Sequence, residues 1–254
     1  MLNPIVPDAR GPVSCRIDNM TRRALVLGGG GFFGAFQAGA YDVLGDFDCV
    51  IGASAGALNG WAIASGMPPA QLQQLWLEAA ESARRGLHLP RYLGDGILDT
   101  SHLEYLVTKM VREWRPRVDF GVIISQGWRL RQVLVRDEEV DANTLLASCA
   151  IPGLLPAKRV QGRLSLDGGL RDACPLWAAR AMGATEMVAI NVWNHLPSWW
   201  PQKERPFSPQ PGVRLIEPPQ ALGPMPRSAL ASPEEVAEWI KLGRHTASQI
   251  FARQ

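Results

Sequence analysis

The stretch ALVLGGGGFFGAFQAGAYDVLGDFDCVIGASAG, residues 24–56, decides the fold. Ala24–Leu27 is a short apolar run that stops at four glycines, which reads as a buried strand. AFQAGAYDVL then carries apolar residues at helical spacing. Cys49–Ile51 is a second short buried strand, and Ala55–Ala64 reads as a small-residue helix. Strand, glycine turn, helix, strand, turn and helix in succession predict a parallel sheet with helices on its faces.

Working outward, Ala70–Arg85 has apolar residues at Leu72, Leu75, Trp76 and Ala79, one face of a helix. Ser101 and Glu104 predict a capping box for a helix that Pro116 closes. Phe120–Ser125 and Trp128–Val135 predict a hairpin, and Leu145–Ala150 a helical stretch ended by Pro152. A strand at Arg163–Leu166 delivers Asp167, a helix is expected at Pro175–Met182, and a buried strand at Met187–Val192. The expected organisation is an irregular arm over 1–21 and a single domain over 22–254. A proline- and tryptophan-rich excursion at about 194–227 interrupts that domain, with a strand expected at Val213–Ile216 inside it. Ser232, Pro233 and Glu235 together predict the start of a C-terminal helix at about 233.

Composition bounds the function. The 254 residues are 46% hydrophobic and 20% charged, which suits a globular chain with a sizeable core. A net charge of +2 gives no strong field for nucleic acid. Cys15, Cys49, Cys149 and Cys174 are scattered, with no histidine at ligand spacing, so neither a disulfide framework nor a metal site is expected. No apolar run is long enough to span a bilayer, and residues 1–20 lack a signal-like apolar region; a cytoplasmic location is the expectation.

Gly52-Ala53-Ser54-Ala55-Gly56 fits G-x-S-x-G between a strand and a helix, the bend that exposes a nucleophilic serine. The Gly28–Gly31 loop precedes a helix, so its amides can receive an oxyanion. Gly29, Gly31 and Gly34 also satisfy G-x-G-x-x-G. A dinucleotide site, however, needs an acid at the end of the second strand, whereas Asp46 and Asp48 precede it. For the base, two readings stand. Ser54, Asp167 and His195 follow the chain order of an α/β-hydrolase triad. Alternatively, Asp167, followed by Gly168 and Gly169, contacts the serine directly. His88, His102 and His245 need only loop or surface roles.

In combination these blocks resemble the patatin-like phospholipases. GGGGFFGAFQAG (28–39), GASAG (52–56), ASCAIPGLLP (147–156) and DGG (167–169) stand in family order over about residues 24–192. The resemblance implies a three-layer α/β/α sandwich with a mostly parallel central sheet. It implies a carboxylic ester hydrolase acting on lipid, with a Ser–Asp dyad of Ser54 as nucleophile and Asp167 as general base. It implies an oxyanion hole from Gly29, Gly30 and Gly31, supported by Gly34, Gly52, Gly56, Gly168 and Gly169, and no metal or cofactor. Two alternatives remain: a Ser54–Asp167–His195 esterase, and a lipid-binding protein that keeps the fold without catalysis. One position departs from the pattern. The family usually carries Arg or Lys before the last glycine of the first motif, where this chain has Phe33. The expectation is that Phe33→Arg raises activity on phospholipid relative to neutral esters. Trp199 and Trp200, beside Lys203 and Arg205, are the expected contact with a membrane surface.

Overall fold

The computed structural model describes residues 21–83, 100–193 and 210–252. Its strands are β1 (Arg23–Leu27), β2 (Cys49–Ala53), β3 (Asp119–Gln126), β4 (Arg131–Arg136), β5 (Lys158–Val160), β6 (Arg163–Asp167), β7 (Glu186–Ile190) and β8 (Val213–Ile216). Its α-helices are α1 (Gly34–Tyr41), α2 (Ala55–Ala64), α3 (Pro69–Ala83), α4 (Ser101–Glu113), α5 (Ala142–Ser148), α6 (Leu176–Ala181) and α7 (Pro233–Phe251). The expected irregular arm, apart from its last residue, lies outside the described residues, as do His195, Trp199 and Trp200.

The sheet is mostly parallel. Strands β8, β7, β1, β2 and β3 run side by side in one direction; β4 and β6 pair antiparallel with β3, and β5 pairs antiparallel with β6. The central strands are buried along nearly their whole length, as strands covered on both faces must be. The two faces are unequal among the described residues. Leu25, Leu27, Val50, Phe120 and Ile190 point into a large core with α1 to α5 and α7. Ala24, Val26, Cys49, Ile51 and Ala189 point into a smaller one, whose only described helix is α6.

The C-terminal helix belongs to the same layer as α1. Ser232 and Glu235 form the expected capping box, each side chain accepting from the other's backbone amide at 3.2 and 2.9 Å, with Pro233 in the first turn. Its backbone then crosses α1 in near contact. A Cβ on Gly39 would lie 1.9 Å from Ile240 O, and one on Gly243 would lie 1.9 Å from Phe36 O. Any larger residue at either glycine forces the helices apart.

Two local readings change, and one strand is new. The first residue of α4 is Ser101 and its N-cap is Thr100; Glu104 takes the Thr100 hydroxyl at 3.2 Å and Lys158 of β5 at 2.6 Å instead of closing a capping box from Ser101. The β3–β4 hairpin forms, but Gly127 turns the chain at φ +70°, so Trp128 sits in the turn and not in a strand. Strand β5 is three residues of KRV, too short for a periodic signal. No helix among the described residues is long and apolar enough to cross a membrane.

Candidate active site

Register on β3 builds the site. Ala53, the last residue of β2, pairs with Ile123, and Asp167, the last residue of β6, pairs with Ile124. Because β4 occupies the other side of β3 across 121–126, β2 and β6 share one side. They run in opposite directions and therefore meet end to end. The G-x-S-x-G bend and the D-G-G turn, 113 residues apart in sequence, are brought together by that junction.

Ser54 adopts φ 55° and ψ −127°, a strained conformation for a residue with a side chain. The bend is enforced by packing. A Cβ on Gly52 would lie 2.1 Å from Gly56 O, and one on Gly56 would lie 2.2 Å from Leu27 O, so strand and helix approach only because both are glycine. The Ser54 carbonyl accepts from Ala57 and Leu58 and starts α2. Its amide donates to Ser148 Oγ at 2.8 Å, and that hydroxyl donates to Ile123 O at 2.7 Å. Ser148 thus braces the bend against β3.

Asp167 is buried. Its Oδ1 accepts from Gly169 N at 2.7 Å, while Oδ2 is buried without a partner in hydrogen-bond geometry. Burial raises the carboxyl from 3.8 to about 6; the neighbouring Ser54 hydroxyl and the Gly169 amide pull the other way by favouring the charged form. Cys149 sits against both residues, and burial with the Asp167 charge holds its thiol well above the ordinary range, in the protonated form. No described histidine hydrogen-bonds to Ser54 or Asp167, and among the described residues no three His, Cys, Asp or Glu side chains gather as a metal site.

The glycine loop lies against the same point. A Cβ on Gly29 would sit 3.2 Å from Ser54 Cβ and 3.7 Å from Gly169 Cα. Two of its amides are already committed. Gly28 N donates to Ile190 O at 3.0 Å and Gly29 N to Ala173 O at 2.8 Å. The Gly30 and Gly31 amides have no acceptor among the described residues, so they are the loop's available donors. A buried amide network holds the loop from behind. Gln37 Nε2 donates to Gly28 O at 2.6 Å, Asn59 Nδ2 to Gly34 O at 2.8 Å and to Gln37 Oε1 at 2.9 Å, and Trp76 Nε1 to Asn59 Oδ1 at 2.7 Å. Sequence reading misses Ser148, Cys149, Gln37 and Asn59, although all four stand in or beside the quoted motifs.

Phe33 does not face a substrate. It is 1% exposed and packs edge-on against Trp193 and Trp239, with ring centroids 5.2 and 5.0 Å away. Phe32, not Phe33, lines the cavity at Ser54. The expected gain from Phe33→Arg therefore gives way to the opposite outcome. A guanidinium there has no described carboxylate partner, so Phe33→Arg is expected to destabilise by several kcal/mol, and Phe33→Ala by about 3–5 kcal/mol. Thermal unfolding checks both; an unchanged melting temperature with faster phospholipid turnover contradicts this assignment.

From Ser54 an apolar cavity of about 230 Å³ runs between α3 and α4. Leu72, Leu75 and Ala79 line it from α3, and Leu106, Val107 and Met110 from α4. Ser228 and Ala229, just past the end of the expected excursion, contribute part of its wall. Asp48, weighed above against a ribose site, accepts from Arg23 N at 2.7 Å, at the opposite end of the strands.

The Patatin-like phospholipase family model matches residues 25–180. The chain belongs to the patatin-like phospholipase family. The match covers every element from β1 to most of α6, and β7, β8 and α7 complete the same sheet and helix layer beyond it. Family membership makes lipid acyl hydrolysis the chemistry of its relatives. The uncharacterized protein YjjU of Escherichia coli (strain K12) is 28% identical over 241 residues, 84% of this chain and 66% of YjjU. The crystal structure of VipD from Legionella pneumophila shares the fold at a TM-score of 0.54 and 13% identity, over 92% of this chain and 67% of VipD. This chain thus spans about two thirds of each.

Proposed function

We propose that this protein hydrolyses lipid acyl esters through a covalent acyl-enzyme on Ser54, with Asp167 as the general base. The observation that carries the reading is the end-to-end meeting of β2 and β6, with a strained serine beside a buried carboxylate whose Oδ2 has no hydrogen-bond partner. In the first half-reaction Ser54 Oγ attacks the ester carbonyl as Asp167 takes its proton. The oxyanion is received by the Gly30 and Gly31 amides, with Gly29 shaping the loop. Collapse expels the alcohol, which takes the proton back from Asp167. Water, deprotonated by Asp167, then attacks the acyl-enzyme, and collapse of this second intermediate releases the fatty acid as Ser54 Oγ takes the proton back from Asp167.

Turnover of a chromogenic acyl ester by purified protein tests the reading. Hydrolysis is expected in the wild type and, within about tenfold, in His195→Ala, a change under about 1.4 kcal/mol in barrier. No turnover of any ester favours a lipid-binding protein; loss in His195→Ala with the fold retained favours the triad.

The cavity supplies the place for the acyl chain. Ala79 lines it between α3 and α4. Ala79→Trp is expected to lower kcat/KM for long-chain esters by roughly tenfold or more while leaving a butyrate ester little changed. Equal loss on both chain lengths contradicts that placement.

A further inference from the structure

The β3–β4 ribbon continues past the catalytic end of the sheet. Strand β2 stops opposite Ile123, whereas β3 runs on to Gln126 and turns through Gly127–Leu130. At about 3.3 Å per residue the turn stands roughly 13 Å beyond the level of Ser54, on the same edge. Trp128 at its tip is 86% exposed, the most exposed of the large hydrophobic residues described. A tryptophan this bare buries little apolar surface in the folded chain, and its indole favours a boundary between apolar and aqueous phases.

The surroundings are cationic. Arg129 lies over the Trp128 ring at 4.5 Å, and Arg131 begins β4. Arg171 donates to Arg129 O at 3.1 Å, and Gln132 donates to Gly168 O at 3.2 Å. These two bonds tie the turn to the segment that follows Asp167. Leu164, exposed, holds the neighbouring strand position, its carbonyl accepting from Gly127 N at 3.2 Å. None of Arg129, Arg131 and Arg171 has a carboxylate partner among the described residues. An exposed indole and leucine on a turn that carries Arg129, is bonded by Arg171 and leads into Arg131 match a surface with an apolar interior and anionic headgroups.

We infer that the hairpin tip around Trp128 is a docking surface for an anionic lipid interface, seating the sheet's catalytic edge on the membrane. The choice of lipid over another polyanion rests on the hydrolase reading and on the exposed indole. The residues of this surface are other than Trp199 and Trp200, which lie outside the described residues.

Vesicle co-sedimentation tests the inference, with Ser54→Ala as the background so that no lipid is consumed. Binding to vesicles of phosphatidylcholine with about one third phosphatidylglycerol is expected to exceed binding to phosphatidylcholine alone. Trp128→Ala is expected to weaken it roughly tenfold, and Arg129→Gln and Arg131→Gln roughly fivefold each, as loss of a cation at a charged surface requires. In the Ser54-containing protein, the same three changes should leave hydrolysis of a monomeric butyrate ester unchanged. Full binding by the triple variant overturns the inference. So does a Trp128→Ala variant that binds normally while the arginine variants fail, which marks a generic polyanion site. Because sedimentation needs no turnover, an inactive wild type that still binds through Trp128 contradicts the hydrolase reading alone.

Discussion

Ser54→Ala is expected to lower ester turnover by at least about 10⁴-fold while leaving the fold intact. The change deletes one oxygen. The brace from Ser54 N to Ser148 Oγ survives it, because that bond uses the backbone amide. Alanine inherits the strained φ of 55°, so stability should stay within about 0.5 kcal/mol of wild type. Ser54→Gly separates strain from chemistry. Glycine accepts positive φ, so that variant is expected to be equally inactive and more stable than Ser54→Ala by about 1 kcal/mol. Circular dichroism, thermal unfolding and turnover on one ester check all three statements. Retained turnover in Ser54→Ala contradicts the catalytic reading.

Asp167→Asn is expected to cost 10²–10⁴-fold in turnover, the usual range for losing a general base. It also predicts two pH effects. The active form of Asp167 is the carboxylate, so kcat/KM should rise with pH and level off above its raised value of about 6. The stability effect runs the other way. Between 3.8 and about 6 the folded chain holds this proton and the unfolded chain has released it. Stability therefore falls as pH rises through that window, by about 3 kcal/mol in total. An asparagine at this position carries no such charge. The melting temperature of Asp167→Asn relative to wild type should accordingly climb from pH 4 to pH 8, and parallel curves would contradict a buried, raised carboxyl. A residue that costs stability in its working form is expected at a functional site.

Residues 24–56 announce the fold because their signals are local. A run that breaks at glycine, a helical apolar spacing and a G-x-S-x-G bend each need only neighbours in sequence. Ser54 stands out as a candidate for the same reason, inside a bend, whereas Asp167, at a strand's end, stands out only once the four blocks are taken together as a resemblance. What joins them is not legible in this way. The shared side of β3 is a matter of register, and register is set by pairing across 113 residues. Ser148, Gln37 and Asn59 stay silent because a buried polar side chain declares its partner only once the backbone around it is placed. Gly29 shows the limit from the other direction. Its position in the motif marks it as an oxyanion donor, yet its amide is claimed by Ala173 O. Phe33 misleads because a missing cation suggests lost recognition, while its side chain is spent on an aromatic cluster that joins the glycine loop to α7. Trp128 reads as strand from its apolar neighbours; the positive φ of Gly127 puts it in the turn instead.

The central claim is that Ser54 carries the acyl group. Incubation with a fluorophosphonate, followed by peptide mapping by mass spectrometry, tests it most directly, because the probe traps the attacking oxygen itself. The account predicts one adduct, on the peptide containing Gly52–Gly56, at Ser54 Oγ, with labelling that weakens in Asp167→Asn. An adduct on any other residue of the wild-type protein, or undiminished labelling of Ser54→Ala, would contradict it.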